Sequence, residues 1–349
     1  MKTGGPLTAT RSGGIRFGVT ETNAPTPHAQ LTSAREGVLL LRRPIIELEP
    51  LHVRGKDRVQ WLNGMVTSDV AKLPVGSAQF SLHVGKTGKI VSELWIVNAQ
   101  SELVVGVPRG RAEELAAALD RYLIMEQAEI VAGQPDAQFV LALGPGSSRV
   151  VEMARAAGLG AGGARRAGLA VGVVYGDPAA VDAFVTAITG GSGARRDNDG
   201  ASVADAVFEA TAEGWERVRV ELGIGKLGVD FDESAYPQEA SLEADAVSFS
   251  KGCYLGQEAV FMMQERGHPQ RRLVQLVVSG SSSDGAAGPG SAVATADGAE
   301  VGKITSSADA VSGDATTTLA TLKWKHAKGE TALLVNGRGA KVTGLAAKG

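Results

Sequence analysis

Lys251-Gly252-Cys253-Tyr254-Leu255-Gly256-Gln257-Glu258 concentrates more chemistry than any other segment of this 349-residue chain. It holds the only cysteine, with a lysine, a glutamine, a glutamate and two glycines four residues apart. Glycine tolerates backbone angles that strain other residues, so the spacing predicts a tight turn. An ammonium group beside a thiol favours the thiolate, the reactive form of cysteine. The residues alone leave two readings of Cys253 open: a reactive thiol, or a small buried hydrophobe, the usual state of an isolated cysteine.

Upstream of this octapeptide the pattern is mixed. GVLLL from Gly37 and PLHVRG from Pro50 read as short strands, and Asp57 to Asp69 reads as a helix, with Val59, Leu62, Met65 and Val66 near one face. Gly76 to His83 and Lys89 to Val97 read as paired strands joined at Gly85-Lys86-Thr87-Gly88. Further strands are expected at Leu103 to Val107, Gln127 to Val131 and Gln138 to Leu143. Helices are expected at Arg111 to Tyr122, Trp215 to Leu222 and Asp177 to Ile188, the last with an Asp cap and Pro178 at its first position. The glycine-rich stretches at 158–163 and 190–200 read as loops, and Ser279 to Gly290 as a hairpin loop or linker. Beyond it, short alternating segments spaced 10–15 residues apart suggest a small antiparallel β-barrel. This order fits an α+β fold and not a doubly wound parallel sheet.

Composition narrows the class. With 44% hydrophobic and 21% charged residues, the chain has the make-up of a globular protein with a full core. Thirty-five basic against 38 acidic residues give a formal charge of −3, so direct nucleic-acid binding is not expected. A single cysteine excludes an intrachain disulfide framework and a multi-thiolate zinc site, and the five histidines lack paired ligand spacing, so no metal site is expected. No apolar run reaches spanning length and no compact apolar block marks the N-terminus; no membrane association and a cytoplasmic location are the expectation. Residues 1–30 read as a loosely ordered tail, 31–270 as the main α+β body, and 271–349 as the C-terminal barrel domain.

KGCYLGQE resembles the K-G-C-Y-x-G-Q-E signature of the YgfZ family of folate-binding proteins, relatives of the glycine-cleavage T-protein, a tetrahydrofolate-dependent aminomethyltransferase. VRGKDRVQWLNGMVTSDV, GKIVSELWIV, VRVELGIGKLGVDFD and YPQEASLEADAVSFS resemble the family's other segments, and the likeness runs from about Gly37 to Leu276. The resemblance implies a three-domain cloverleaf of the T-protein type: an antiparallel β unit and a ferredoxin-like α+β unit, two α+β domains interleaved in sequence over 31–270 as the folate-binding region, and a C-terminal β-barrel over 271–349. It also implies a tetrahydrofolate derivative as cofactor in a central cavity, and iron–sulfur proteins, including those that thiolate tRNA, as the clients supported.

The resemblance carries roles to particular residues. Glu221, in Arg219-Val220-Glu221-Leu222-Gly223, matches the glutamate that accepts paired hydrogen bonds from a pterin ring. It stands on the cavity wall, with Cys253 at the mouth as a redox-sensitive or cluster-contacting group. Asp69, Lys251, Gly252, Tyr254, Gly256, Gln257 and Glu258 are the remaining cofactor-binding candidates. In the T-proteins a G-G-x-x-D-D-L stretch carries the catalytic acid; here Ser92 and Glu93 occupy the two acid positions, which makes Glu93 the candidate catalytic carboxylate and argues against ordinary aminomethyl transfer. Ser92 and Glu93 are strand neighbours, so only one of them faces any shared pocket. Met262 stands where the family usually has arginine, with Arg266, Arg271 and Arg272 nearby to attract a folate tail.

Overall fold

The computed structural model describes residues 26–190, 207–281, 285, 287–309, 314–329 and 332–345. In chain order the elements are α1 (Pro27–Glu36), β1 (Val38–Leu41), β2 (Leu48–Arg54), α2 (Arg58–Asn63), β3 (Ala78–Val84), β4 (Ile90–Ala99), β5 (Glu102–Pro108), α3 (Ala112–Asp120), β6 (Glu129–Ala132) and β7 (Gln138–Leu143). They continue with α4 (Ser147–Ala156), β8 (Gly160–Arg166), β9 (Leu169–Gly176), α5 (Pro178–Gly190), β10 (Val207–Glu209), α6 (Ala212–Glu221), α7 (Glu243–Ala246) and α8 (Gln257–Glu265). The remainder is strand: β11 (Arg271–Ser279), β12 (Ala292–Thr295), β13 (Glu300–Asp309), β14 (Ala315–Lys323), β15 (Leu333–Val335) and β16 (Arg338–Leu345).

These strands form three sheets. One has the order β10-β1-β7-β9-β8, a second β3-β4-β5-β2-β6, and β11-β14-β13-β12-β15-β16 close into a barrel. Strands β2 to β6 are inserted between β1 and β7, so the first two sheets interleave in sequence. This is the α+β architecture expected, with the barrel at the C-terminal end. The run VLLL shows why β1 is central: all four residues are buried, and alternation sends Leu39 and Leu41 into the core between the sheets while Val38 and Leu40 pack under α4 and α5. β4 divides the same way. Trp95 and Val97 join the central core, and Leu94 and Ile96 pack with residues of α2 and α3.

Four readings of the sequence need correction. Residues 1–25 lie outside the described residues, but the stretch read as tail already contains the start of α1, which the Thr26 hydroxyl caps by accepting from Ala29 N–H at 3.2 Å. Of the glycines of 158–163 only Gly158 lies in a turn; Gly160, Gly162 and Gly163 belong to β8, where a Cβ on Gly160 would collide with the Tyr175 ring and one on Gly162 would lie 2.8 Å from the Ser77 backbone. Here glycine permits the edges of two sheets to touch, at a Ser77–Gly163 bridge. Most of the second glycine-rich stretch, 191–200, lies outside the described residues. Ser279 to Gly290 connects β11 to β12 inside the barrel and is not a domain linker; residues 282–284 and 286 lie outside the described set. Finally, the helix expected over Asp57 to Asp69 stops at Asn63, for a reason found in the octapeptide.

The octapeptide ends its turn at Gly256, whose φ is +76°, and α8 begins at the next residue. A Cβ on Gly256 would collide with the carbonyl oxygen of Gly85 in the β3–β4 turn, and one on Gly88 would lie 2.8 Å from the Ala259 Cβ. Two glycine turns therefore pack against each other. Gly256→Ala is expected to lower stability by about 2–4 kcal/mol, from left-handed strain plus the displaced hairpin, read as a lower urea midpoint. An unchanged midpoint would mean that the turns separate at no cost.

Candidate functional site

Lys251 explains the early end of α2. Its ammonium group donates to the carbonyls of Asn63 at 2.5 Å, Val66 at 2.8 Å and Ser68 at 2.7 Å. These carbonyls turn inward to meet one cation instead of continuing a helix. All three ammonium protons are used, so Lys251 has no donor left for a ligand; its role as a cofactor contact is corrected to that of a brace. Burial pulls its pKa down to about 8, with the Asp69 carboxylate pulling the other way. Asn63 completes the turn, its side-chain oxygen accepting from Val70 N–H at 2.9 Å. Lys251→Met is expected to destabilise the protein by at least about 3 kcal/mol, because three buried carbonyls lose their partner together. Denaturant unfolding measures this, and a loss under about 1 kcal/mol would show that the loop finds other donors.

The rest of the octapeptide divides between interior and surface. Tyr254 is buried in the central core, its hydroxyl without a hydrogen-bond partner among the described residues, and burial pushes its pKa up to about 12. Gly252, Cys253 and Glu258 are exposed, and Gln257 is half-buried at the start of α8. Exposure of Cys253 rules out the buried-hydrophobe reading.

Glu221 is the last residue of α6, where it meets the barrel. Its Oε1 accepts from the Thr317 hydroxyl at 3.0 Å, while Oε2 has no hydrogen bond among the described residues. Gln275 of β11 donates to the carbonyls of Val220 at 2.8 Å and Glu221 at 3.2 Å, capping the helix end. Two residues earlier, Arg219 is buried and pairs with the fully buried Asp230 at 2.8 Å. Asp230 also accepts from Thr305 at 2.6 Å and Ser306 at 2.7 Å, both on β13. A satisfied buried ion pair thus locks the end of α6 to the barrel.

The candidate acid Glu93 points to Arg166, 3.6 Å away, and Arg166 also pairs with Asp245 at 2.7 Å and lies 3.9 Å over the Phe80 ring. Ser92 is buried, its hydroxyl donating to the Glu93 carbonyl at 3.1 Å. The arrangement occupies Glu93 as one arm of an internal cluster joining the two sheets. Burial pushes its carboxyl above the usual range, with Arg166 opposing. A carboxyl whose folded pKa lies above its unfolded value stabilises most below that unfolded value, and the contribution is lost as pH rises through the folded pKa. Glu93→Gln, which mimics the protonated form, is therefore expected to gain stability relative to wild type between about pH 4 and pH 7. Urea titrations at the two pH values test the sign; a relative loss would mean that attraction to Arg166 dominates.

Next to this cluster lies a pocket of about 220 Å³ lined by Ser68, Asp69, Gln79, Phe80, Arg165 and the 245–248 segment. Asp69, paired with Lys72 at 3.0 Å, is on its wall. Neither Glu221 nor Cys253 lines it, so the single hollow expected to carry both residues is not this one. A second hollow, of about 300 Å³, is lined by Tyr236, Met262, Met263, Arg266 and His268. Arg272 is not available to a ligand tail, being buried in an ion pair with Glu243. Sequence reasoning missed Arg166 at the end of β8, Asp230 in a turn and Thr317 on β14, because their partners lie far along the chain. Among the described residues no group of three His, Cys, Asp or Glu is placed to hold a metal, and no helix is long and apolar enough to cross a membrane.

The architecture matches that of the glycine-cleavage aminomethyltransferase T of Bartonella henselae, with a TM-score of 0.67 over 90% of this chain and 87% of that one, at 16% identity. The protein thus has the T-protein fold. A "tRNA-modifying protein YgfZ" of Yersinia enterocolitica is 27% identical over 232 residues, 64% of this chain and 67% of the relative. One of Vibrio atlanticus is 24% identical over 270 residues, 74% and 75% of the two chains. The mitochondrial aminomethyltransferase of Dictyostelium discoideum is 34% identical over 64 residues, 18% of this chain and 16% of the relative. No protein-family model matches the chain. The octapeptide and these relatives make the chain similar to the YgfZ proteins, on a T-protein fold.

Proposed function

We propose that this protein is a tetrahydrofolate-binding accessory factor that supports iron–sulfur enzymes and, through them, tRNA modification. The reading is carried by Glu221: a carboxylate at a helix end, fixed through one oxygen, with the other lacking a partner among the described residues. This donor-free acidic group fits a pterin edge, which presents an amino group and a ring N–H side by side. Asp69 and the Phe80 ring line the separate pocket of about 220 Å³ beside the Glu93–Arg166 cluster and offer an acceptor and an aromatic wall there. In this reading residues 31–270 form the folate-binding body and 271–349 the barrel that closes it. The folate supplies one-carbon chemistry when bound; the chain's own residues orient it.

Exposure of Cys253, with open space around Gly252, supports a thiol that works outward on a partner protein. The alternative, aminomethyl transfer of the T-protein type with Glu93 as acid, is disfavoured by the engagement of Glu93 with Arg166. Anaerobic calorimetry with tetrahydrofolate is the direct test. Binding is expected in the wild type and a loss of about tenfold or more in Glu221→Gln, since a charge-assisted bond contributes about 1.5–3 kcal/mol. Absence of heat with the wild type would remove the proposal.

A further inference from the structure

Thr317 lies in a run of three buried threonines, Thr316 to Thr318, on β14. Strand alternation divides them. Thr316 and Thr318 share a face with Ala320 and Leu322 of the barrel core, and their hydroxyls donate to the carbonyls of Gly280 at 2.7 Å and Leu276 at 3.5 Å. Thr317 shares the other face with Leu319, which packs in the central core, and Thr321, which donates to the Asp230 carbonyl at 3.5 Å. That face docks on the body. A valine there would fill the same volume with no polar atom to desolvate, so a buried hydroxyl is favourable only through the bond it makes. The Thr317 hydroxyl makes its bond to Oε1 of Glu221, and Gln275 fixes the backbone of that same residue.

The geometry points to Thr317 as a positioning residue of the ligand site, an assignment that rests on the reading of Glu221 proposed above. The hydroxyl donates into the carboxylate at Oε1 and restrains its rotation about the last torsion, leaving Oε2 without a bond among the described residues. The site then selects a flat ring edge with two adjacent N–H donors, of the 2-amino-4-oxopyrimidine kind, over an edge with one. The barrel therefore contributes to specificity, although Thr317 itself touches no ligand.

The experiment is anaerobic calorimetry on the full chain with two probes, tetrahydrofolate and its analogue lacking the 2-amino group. Thr317→Val is expected to weaken tetrahydrofolate binding about tenfold, to leave the analogue nearly unaffected, and so to reduce the discrimination between them. Thr317→Ser, which keeps the hydroxyl, is expected to stay within about threefold of wild type for both probes. In a Glu221→Gln background, Thr317→Val is expected to add no further loss, as required of residues acting through one another. If Thr317→Val does not fold, Thr317→Ala takes its place in the same cycle. Equal weakening of both probes, or losses that add in the double variant, would reduce Thr317 to a packing role. Wild-type affinity in Thr317→Val with loss in Glu221→Gln would overturn this inference alone, and no binding by the wild type would remove the site with it.

Discussion

One buried cation organises the region that carries the chemistry. The Lys251 ammonium gathers three backbone carbonyls from the end of α2 and the segment after it, and the octapeptide is thereby fastened to the connection between β2 and β3. A point charge with three donors on a flexible stem suits this task, whereas a planar guanidinium would not reach three carbonyls converging from one turn. With the lysine fixed, Tyr254 is drawn into the central core and Gly252 and Cys253 are left outside it. The same constraint sets the start of α8, where the Gly256 turn meets the Gly85–Gly88 turn.

A second charged joint acts at the other end of the body. Arg219 and Asp230 hold α6 against the barrel, and every oxygen of Asp230 is engaged by the guanidinium, by Ser306 and Thr305 hydroxyls, or by Lys226 N–H. A buried pair satisfied this fully resists separation, because pulling the elements apart would strand both charges. Glu221 inherits its position from this joint, two residues away. The third joint, Arg166 with Glu93 and Asp245, ties the two sheets together beside the pocket that contains Asp69. Each seam between units of this protein thus has an internal charge cluster surrounded by apolar packing.

Much of this was legible in the residues. Paired strands around Gly85 to Gly88, the α3 and α5 helices, and the barrel strands followed from periodicity and turn chemistry, because those signals are local. The octapeptide and Arg219-Val220-Glu221-Leu222-Gly223 pointed to the family by resemblance, and the fold agrees. Illegible were features decided by distant partners. The glycine-rich stretch 158–163 reads as a loop until the Tyr175 ring and the Ser77 backbone are placed against it. Lys251 reads as a neighbour of the thiol until three carbonyls claim it, and the helix at Asp57 runs on in sequence because nothing local shows those carbonyls turning away. Arg272 reads as available to a ligand tail until its partner Glu243, far along the chain, is placed beside it.

The interleaving of the first two sheets bears on how a nascent chain matures. Strands β2 to β6 are contiguous and have an apolar core of their own with α2 and α3, so they have what they need to collapse soon after synthesis. Strand β1 is made before them, yet its partners include Leu143 on β7 and Phe208 on β10, far downstream. Four consecutive aliphatic residues must therefore wait for distant strands, and such long-range pairing is slow. During that interval VLLL is the segment most in need of shelter from neighbouring unfinished chains.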